Sequence, residues 1–254
     1  MKQKEAFKTL FKKEVKRFTR IWTQTLLPPV VNQTLYLTIF GTIIGSKVGE
    51  IQGFSYIEFI LPGLIMMAVI LGTYSNIVSS FFGSKFQRSI EELMVAPVNK
   101  ITILMGYAFS SMLRGLISGA LVLLVSFIFA KPNLHSFSYL IGYSFFSSYI
   151  FAQAGFLNGI FAKKFDDVAI FPTFVLNPLI FFGGVFYSIE SLNPTMQLIS
   201  KFNPILYMID GFRYGFLGIK GVQTIESLLV MLAFCIALTI INLRLLNKGF
   251  GMKS

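Results

Sequence analysis

Few residues of this chain have the types and spacing that catalysis or metal binding requires. It contains one histidine, His135, and one cysteine, Cys235, so it offers neither a zinc-ligand set nor an internal disulfide. The phosphate-loop pattern G-x-x-x-x-G-K-[ST], the zinc pattern H-E-x-x-H and the nucleophile pattern G-x-S-x-G do not occur. We therefore expect no catalytic residue, no metal and no cofactor bound by this chain, and no nucleotide hydrolysis.

A charged segment between two apolar stretches, residues 84–100, has the clearest local pattern. Ser89 and Glu92 have the spacing of a capping box, and Pro97 disfavours helix at the residue before it. These signals predict a helix of about two turns with Glu91 and Glu92 near its start, where the helix dipole favours acids. One apolar stripe consists of Ile90, Leu93 and Met94. Such a helix either lies on its own bundle or offers a docking surface to another protein.

A second polar pattern lies near the end of the chain, in residues 188–226. Asn193-Pro194 and Asn203-Pro204 each combine a good N-cap residue with proline at the first helical position. Asp210 and Arg213 stand three residues apart and could pair on one helix face. The sequence predicts two short helices that are re-entrant or interfacial. Behind the second Asn-Pro pair, apolar residues recur at helical spacing at Ile205, Leu206, Ile209, Phe212 and Phe216.

Arg114 is the one cation placed well inside an apolar stretch. Lys131 marks the outer end of the same stretch. At about 1.5 Å per residue from Lys131, Arg114 lies near the inner edge of the hydrocarbon, within reach of the headgroups. It could serve the structure or line a substrate path. Glu58 is the only acidic residue in any of the apolar stretches, whereas carriers coupled to protons or sodium usually need ionisable groups within the membrane.

Six apolar stretches must position these residues. Each approaches or exceeds the ~20 residues with which a helix crosses ~30 Å of hydrocarbon, and in lipid such stretches must be helical. The sequence predicts an all-α polytopic membrane protein with six transmembrane helices. The stretches are 26–46, 57–82, 101–130, 138–160, 168–187 and 227–245.

The basic residues indicate how the chain is oriented. The net charge is +11, which could suggest nucleic acid, but the charge is concentrated on alternate connections. If the N-terminus is cytoplasmic, 16 of the 22 Lys and Arg residues fall inside and five outside. This bias predicts that both termini are cytoplasmic, and we expect no nucleic-acid partner.

Residues 1–25 form a further unit. Its apolar residues follow a helical period, with lysines and arginines between them, and they are Phe7, Leu10, Phe11, Val15, Phe18, Ile21 and Trp22. The pattern predicts an amphipathic helix in the cytoplasmic interface, with its basic residues toward anionic lipid. It serves as a membrane anchor only, or it also contacts a cytoplasmic partner.

Five segments in this order resemble the bacterial ABC-2 type permeases, the membrane halves of ATP-binding-cassette exporters, in their YadH-like branch. The segments are 59–67, 80–97, 158–167, 182–188 and 203–215. The resemblance covers nearly the whole chain. It implies a six-helix domain over 26–254, an N-terminal interfacial helix over 1–25, and short external helices over 188–226 before the last span.

The resemblance also implies partners. It predicts a permease dimer, expected to be a homodimer, in the bacterial inner membrane, bound to two copies of a separate ATPase that binds the ATP. Segment 84–100 would be the coupling helix, with contacts from Arg88 to Pro97. Glu91 and Glu92 would make charged contacts, and Leu93 and Met94 would be the apolar plug.

The resemblance further implies alternating access driven by the partner's ATP, with Gly183 and Gly184 allowing the fifth helix to pack closely at the dimer seam. The 29 phenylalanines could line that seam for a lipid-like cargo or could simply face lipid. The alternatives are a secondary transporter or channel that needs no ATPase, and a membrane scaffold without transport.

Overall fold

A computed structural model describes residues 3–131, 134–219, 221 and 224–251. Lys2, Lys220 and Lys253, which enter the charge count, lie outside the described residues. So do residues 222–223 of the external segment and the last three residues of the chain.

The described chain is a helical bundle with one short hairpin, and we number its elements in chain order. The first helix that is long enough to cross a membrane, residues 22–48, contains a π-helical segment, Leu37–Ile44. The helices are α1 (Gln3–Arg20), α2 (Trp22–Val48), α3 (Tyr56–Phe86), α4 (Ser89–Val95), α5 (Lys100–Ser126), α6 (Phe137–Phe161), α7 (residues 165–181), α8 (Pro194–Lys201), α9 (Pro204–Leu217) and α10 (Thr224–Lys248); the strands are β1 (Glu50–Ile51) and β2 (Phe54–Ser55).

Helix α3 forms the centre of the bundle. In its most apolar 18-residue window 83% of the residues are buried, against 11% for α2 and 17% for α10. Helices α5, α6 and α9 pack directly against α3. Glycines allow some of these contacts: a Cβ on Gly155 of α6 would lie 3.0 Å from the carbonyl oxygen of Tyr74 in α3. The two outer helices α2 and α10 therefore present most of their apolar surface outward.

Five helices among the described residues are long and apolar enough to cross a membrane, and they are α2, α3, α5, α6 and α10. This confirms an all-α polytopic membrane protein, and it supports five of the six predicted spans.

The remaining predicted span, residues 168–187, corresponds to the shorter helix α7. It consists of an α-helical, a π-helical and an α-helical piece of seven, five and five residues, about 25 Å in all at 1.5 Å per residue. Pro172 opens the π-helical piece and Pro178 lies in the last one. Because α7 ends at Phe181, six residues before the predicted boundary, a full crossing by this segment stays a prediction.

The Gly183-Gly184 prediction is wrong in its detail, because these glycines follow α7 rather than lie within it. The helix ends at Phe181, and Gly184, three residues later, has φ +79°, a left-handed conformation that favours glycine. A Cβ on Gly183 would lie 2.8 Å from Ile205. The pair therefore forms a turn that packs against α9.

The two ends of the bundle differ. At the end that we call the terminal end, Lys85 Nζ donates to the carbonyls of Ile160 and Ala162 at 2.7 and 2.6 Å, and Gly251 lies beside Ile160. At the opposite end, the turn at Gln52 and Gly53 joins β1 to β2, and Gln52 Nε2 donates to Glu190 at 2.9 Å. Helices α1 and α4 lie at the terminal end.

Both Asn-Pro predictions are confirmed as helix starts. Asn193 Oδ1 accepts from the N–H of Met196 at 2.8 Å, and Asn203 Oδ1 accepts from that of Ile205 at 3.0 Å. Helices α8 and α9 begin at the prolines that follow. The predicted apolar stripe of α9 is buried. Helix α9 thus packs into the bundle, and its re-entrance into the membrane stays a prediction.

Helix α1 packs against α5 through a stripe that the sequence placed differently. Its buried residues are Ala6, Leu10, Glu14 and Phe18, and a Cβ on Gly106 of α5 would lie 2.6 Å from Leu10. Trp22, predicted to extend the apolar stripe, is exposed at the start of α2. The amphipathic helix therefore rests on the bundle itself, with an acid in its buried stripe.

Candidate docking surface and inner cavity

Helix α4 is held in a sharp turn between two spanning helices. Arg88 has φ +59°, so the chain reverses at the end of α3 before α4 begins. Ser89 is the first helical residue and its hydroxyl donates to the carbonyl of Ser84 at 3.2 Å. The predicted capping box is therefore wrong, since the turn at Arg88 puts Ser89 inside the helix and its hydroxyl bonds back to α3. Lys100 Nζ donates to the carbonyl of Met94 at 3.2 Å at the other end.

The outward face of α4 is not the predicted apolar stripe. Ile90 is buried, and Leu93 and Met94 are half-buried against the core. Glu91 and Glu92 are exposed, as are Arg88 and Pro97. The apolar residue on this outward face is Val95, which is 88% exposed.

We call Glu91, Glu92 and Val95 the outer face of α4. These positions share one side of a helix because they are three and four residues apart. The face combines two carboxylates with one apolar side chain, and it can therefore offer both ionic and apolar contacts to a partner. The roles assigned to Leu93 and Met94 as a plug stay predictions, but the structure leaves those side chains little free surface.

Gln3 of α1 bonds to the segment that follows α4. Gln3 Nε2 donates to the carbonyl of Pro97 at 3.2 Å. Gln3 Oε1 accepts from the N–H of Asn99 at 2.9 Å and from the hydroxyl of Thr102 at 3.0 Å. The start of α1 is thereby fixed to the segment that connects α4 to α5.

A buried polar cluster lies beneath α1, between α3 and α5. Arg17 Nε donates to Glu14 at 2.9 Å, an ion pair in which the Glu14 side chain is 1% exposed. Arg17 Nη2 also donates to Asn76 Oδ1 at 2.8 Å, and Asn76 Nδ2 donates to Ser111 at 2.9 Å. Ser80 donates a short hydrogen bond to Glu14. The cluster links the interfacial helix to the centre of the bundle through charge-assisted hydrogen bonds.

Arg114 extends this cluster rather than reaching the membrane surface. Its Nη2 donates to the carbonyl of Thr25 at 2.8 Å and its Nη1 approaches Asn76 Oδ1 at 3.4 Å. Only 8% of the residue is exposed. The expectation of snorkelling is wrong, because the start of α2 covers the guanidinium and supplies a carbonyl acceptor inside the bundle.

A cavity of about 590 Å³ opens beside Arg114, between α2, α3 and α7. It lies in the half of the bundle toward the terminal end. Its described lining residues include one charged side chain, that of Arg114. The polar lining residues are Gln24, Thr25, Asn32, Gln33, Tyr36, Tyr74, Ser75, Ser79 and Asn177.

Arg213 connects α9 to α3 and to the glycine turn. Its Nη2 donates to the carbonyl of Gly184 at 2.6 Å, its Nε to that of Phe59 at 3.3 Å, and its guanidinium lies 4.1 Å from the Phe59 ring centroid. Asp210 lies beside Gly221, where a Cβ would be 2.2 Å from the carboxylate. The hydrogen bonds described for Arg213 are thus to main-chain carbonyls, and its pairing with Asp210 stays a prediction.

The charged turn at residues 163–167 caps the start of α7. The backbone N–H groups of Lys163 and Lys164 donate to Asp167 Oδ2 at 2.8 and 3.0 Å. These two hydrogen bonds hold the pKa of Asp167 below its usual range. The turn therefore orders the start of a helix.

The comparisons with known proteins agree with this architecture. The family model described as ABC-2 type transporter matches residues 5–217. The chain belongs to the ABC-2 type transporter family. The chain is 50% identical over 249 residues to the inner membrane transport permease YadH of Escherichia coli K12. The aligned residues make up 98% of this chain and 97% of that protein. The YadH protein of Shigella flexneri matches equally well.

More distant relatives in the comparison carry another name. Nodulation protein J of Rhizobium leguminosarum bv. viciae is 23% identical over 195 residues, 76% of this chain and 75% of that protein. Together with the apolar helices, the family and the 50% identity make this ABC-2 protein a multi-pass transport permease of the inner membrane. The predicted resemblance is therefore confirmed at the level of the family.

Several residues of the two candidate sites were missed by the sequence analysis. Glu14 could have been found, because it lies four residues from both Leu10 and Phe18 and so falls on the buried stripe of α1. Asn76 and Gln33 are amides within apolar stretches, which is a weaker signal. Val95 carried no signal at all, since only the packing of Ile90 decides which side of α4 faces outward.

Proposed function

We propose that this permease forms the membrane path of an ATP-driven exporter, and that the outer face of α4 docks a separate ATPase subunit. The observation that carries the proposal is the combination of Glu91, Glu92 and Val95 on an exposed helix that is held rigidly between α3 and α5. Membership of the ABC-2 family supports a partner that supplies the ATP.

The anchoring of α4 gives a physical reason for coupling. Ile90 packs into the core, Lys100 bonds to the last turn of α4, and Gln3 ties α1 to Pro97. A displacement of α4 would therefore move α1, α3 and α5 with it, whereas a loosely attached loop would shift without moving them. The charged bonds from Glu14 and Arg17 to α3 offer a second connection to the same helices.

The free energy for transport would come from ATP bound by the partner ATPase. ATP binding would bring two ATPase subunits together, and the movement would shift a permease dimer between inward- and outward-open states. A ligand drives such a shift only if it binds the two states with different affinity, a condition that ATP meets within the ATPase. The outward apolar face of α10, with only 17% of its most apolar window buried, supports a homodimer.

In this proposal the terminal end of the bundle is cytoplasmic. The bias of basic residues toward that end supports the orientation, because positively charged connections remain inside. The hairpin β1–β2 and helix α8 would then be external. ATP is bound by the ATPase, and we propose no cofactor for the permease itself.

The docking face can be tested by charge reversal. Glu91→Lys combined with Glu92→Lys should leave membrane insertion intact and lower co-purification of the ATPase, by roughly tenfold or more if each exposed pair contributes up to about 1 kcal/mol and like charges repel. Glu50→Lys with Glu190→Lys makes the same charge change at the opposite end and should leave co-purification unchanged. Unaltered ATPase binding by the α4 variant would contradict the docking assignment.

The need for an ATPase can be tested by reconstitution. The permease in liposomes should show no vectorial flux of cargo extracted from the cells until the ATPase and ATP are added. Flux driven through the purified permease alone by a proton gradient would instead establish a secondary transporter, and equal flux in both directions would establish a channel.

A further inference from the structure

We propose that the cavity between α2, α3 and α7 binds the headgroup of an anionic amphiphile, with Arg114 as its cationic contact and Gln33 as its hydrogen-bonding contact. The inference rests on the proposed function, because it names the class of molecule that would enter the transport path. It concerns binding to the permease, which can be measured without the ATPase.

The charge balance around the cavity favours an anion. Arg114 is the charged residue among the described lining residues, and its hydrogen bonds go to neutral oxygens of Thr25 and Asn76. The nearby acid, Glu14, is already paired with Arg17 at 2.9 Å. A buried guanidinium that has no paired carboxylate among the described residues carries a desolvation cost, and an oxyanion in the cavity would relieve it.

Two buried polar atoms without partners in the described part of the chain indicate that the headgroup forms hydrogen bonds in addition to carrying a charge. Arg114 Nε and Gln33 Oε1 are buried and have no hydrogen-bond partner among the described residues. Gln33 is 2% exposed, although α2 as a whole is the least buried spanning helix. Buried polar atoms of this kind normally have partners. A rotation of these two side chains toward the cavity would let an oxyanion accept from Arg114 Nε, and would let the P–OH of a singly ionised phosphate monoester donate to Gln33 Oε1.

The walls of the cavity favour an amphiphile over a water-soluble anion. Polar residues of the lining, such as Gln24, Asn32, Ser75 and Ser79, are exposed at its mouth. Apolar residues line the remaining surface, and they include Pro28, Met67, Leu71, Val78, Val168 and Phe181. The volume of about 590 Å³ lies within the usual range for small-ligand sites, roughly 300–1,000 Å³.

The position of the mouth allows the tails to stay in the bilayer. It lies between α2 and α7, whose neighbouring surface carries exposed apolar residues such as Val31, Leu35 and Phe174. A headgroup could enter from the leaflet while its tails remain against this surface. The cavity would then select the charge and hydrogen-bonding groups of the molecule, and the bilayer would hold its chains.

Direct binding to the full-length permease in an uncharged maltoside detergent tests this inference. The probe is dioctanoyl phosphatidic acid, compared with dioctanoylglycerol, which lacks the phosphate, and with glycerol 3-phosphate, which lacks the tails. We expect the phosphatidic acid to bind at least about tenfold more tightly than dioctanoylglycerol, because one charged hydrogen bond at a buried site is worth about a factor of ten or more. We expect a margin of at least about tenfold over glycerol 3-phosphate as well, because that molecule has no apolar tails to remove from water.

Variants locate the binding site. Arg114→Gln should weaken binding of the phosphatidic acid at least about tenfold, and Arg114→Lys should restore part of it because the charge remains. Gln33→Leu should weaken binding by a smaller factor, roughly threefold or more. Arg20→Gln removes the same charge from the exposed surface of α1. It should leave the affinity within about twofold of the parent, because solvent and salt screen an exposed charge.

Folding is checked for every variant by its melting temperature. If Arg114→Gln fails to fold, Gln33→Leu decides, since it replaces an uncharged side chain with an apolar one of similar size. Unchanged binding by a folded Arg114→Gln or Gln33→Leu protein would overturn the inference. An equal loss with Arg20→Gln would show surface attraction only, and equal binding of dioctanoylglycerol or glycerol 3-phosphate would exclude an anionic amphiphile.

The outcome is separable from that of the proposed function. If the variants bind normally while the ATPase still docks at α4, only the cavity assignment fails. If no ATPase is ever required for flux, the proposed function fails although the binding result stands.

Discussion

At the scale of single residues, close helix contacts in this bundle depend on positions without a side chain. Gly115 of α5 is the tightest of these, since a Cβ there would lie 1.8 Å from Thr73 Oγ1 and 2.6 Å from the carbonyl of Val69. At Gly142 of α6, no described atom beyond the backbone of its own helix lies within 4 Å of such a Cβ. Two helical glycines thus differ only in what surrounds them.

This difference predicts opposite effects of the same substitution. Gly115→Ala should destabilise the permease by about 1–3 kcal/mol through overpacking between α3 and α5, whereas Gly142→Ala should be neutral or stabilise by up to about 1 kcal/mol through helix propensity. Thermal unfolding of the two purified variants in one detergent measures this. A Gly115→Ala protein as stable as the parent would show that the α3–α5 contact is looser than described.

Among the helices, two Asn-Pro pairs begin neighbouring elements but differ in the hydrogen bonds that they form. Asn193 is exposed and caps α8. Asn203 is 4% exposed, caps α9 and also donates from Nδ2 to the carbonyl of Leu179 at 2.6 Å. Asn203 therefore ties the start of α9 to the end of α7, whereas Asn193 serves its own helix.

Alanine at each position should separate the two roles. Asn193→Ala should cost about 1 kcal/mol, the value of a helix cap. Asn203→Ala should cost a further 1–3 kcal/mol, roughly, because it also leaves a carbonyl of α7 without its donor. Melting curves of both proteins provide the comparison. Equal losses would mean that the bond to Leu179 adds nothing to stability.

At the scale of the whole molecule, the orientation in the membrane determines which surfaces a partner can reach. The proposed cytoplasmic end carries Gln87, an exposed residue next to α4, and the proposed external end carries Thr195, an exposed residue of α8. Ser200 of the same helix is 1% exposed and would be a poor reporter. The two exposed positions therefore report on opposite sides of the bilayer.

Cysteine labelling in intact cells checks the orientation. In a Cys235→Ser background, Thr195→Cys should react with a membrane-impermeant maleimide before the cells are broken, and Gln87→Cys should react only afterwards. Both should react in open membranes. The reverse order of labelling would invert the topology and place α4 outside, out of reach of any cytoplasmic ATPase.

Local signals in the sequence were enough for the elements whose causes are local. The Asn-Pro pairs predicted the starts of α8 and α9, and the apolar stretches predicted the five long helices, because capping and hydrophobicity act within a few residues of one another. The end of α7 was misjudged, since apolar composition continues to residue 187 whereas the helix ends at Phe181 and the chain then turns at Gly183 and Gly184.

Composition and local patterns are enough to show that this chain crosses a membrane many times, which family it belongs to, and where most of its helices begin. Long-range packing is what places Arg114 at a cavity, buries Glu14 with Arg17, and turns Val95 rather than Leu93 outward. The reason is that helical periodicity shows which residues share a face, whereas the element packed against that face comes from distant parts of the chain.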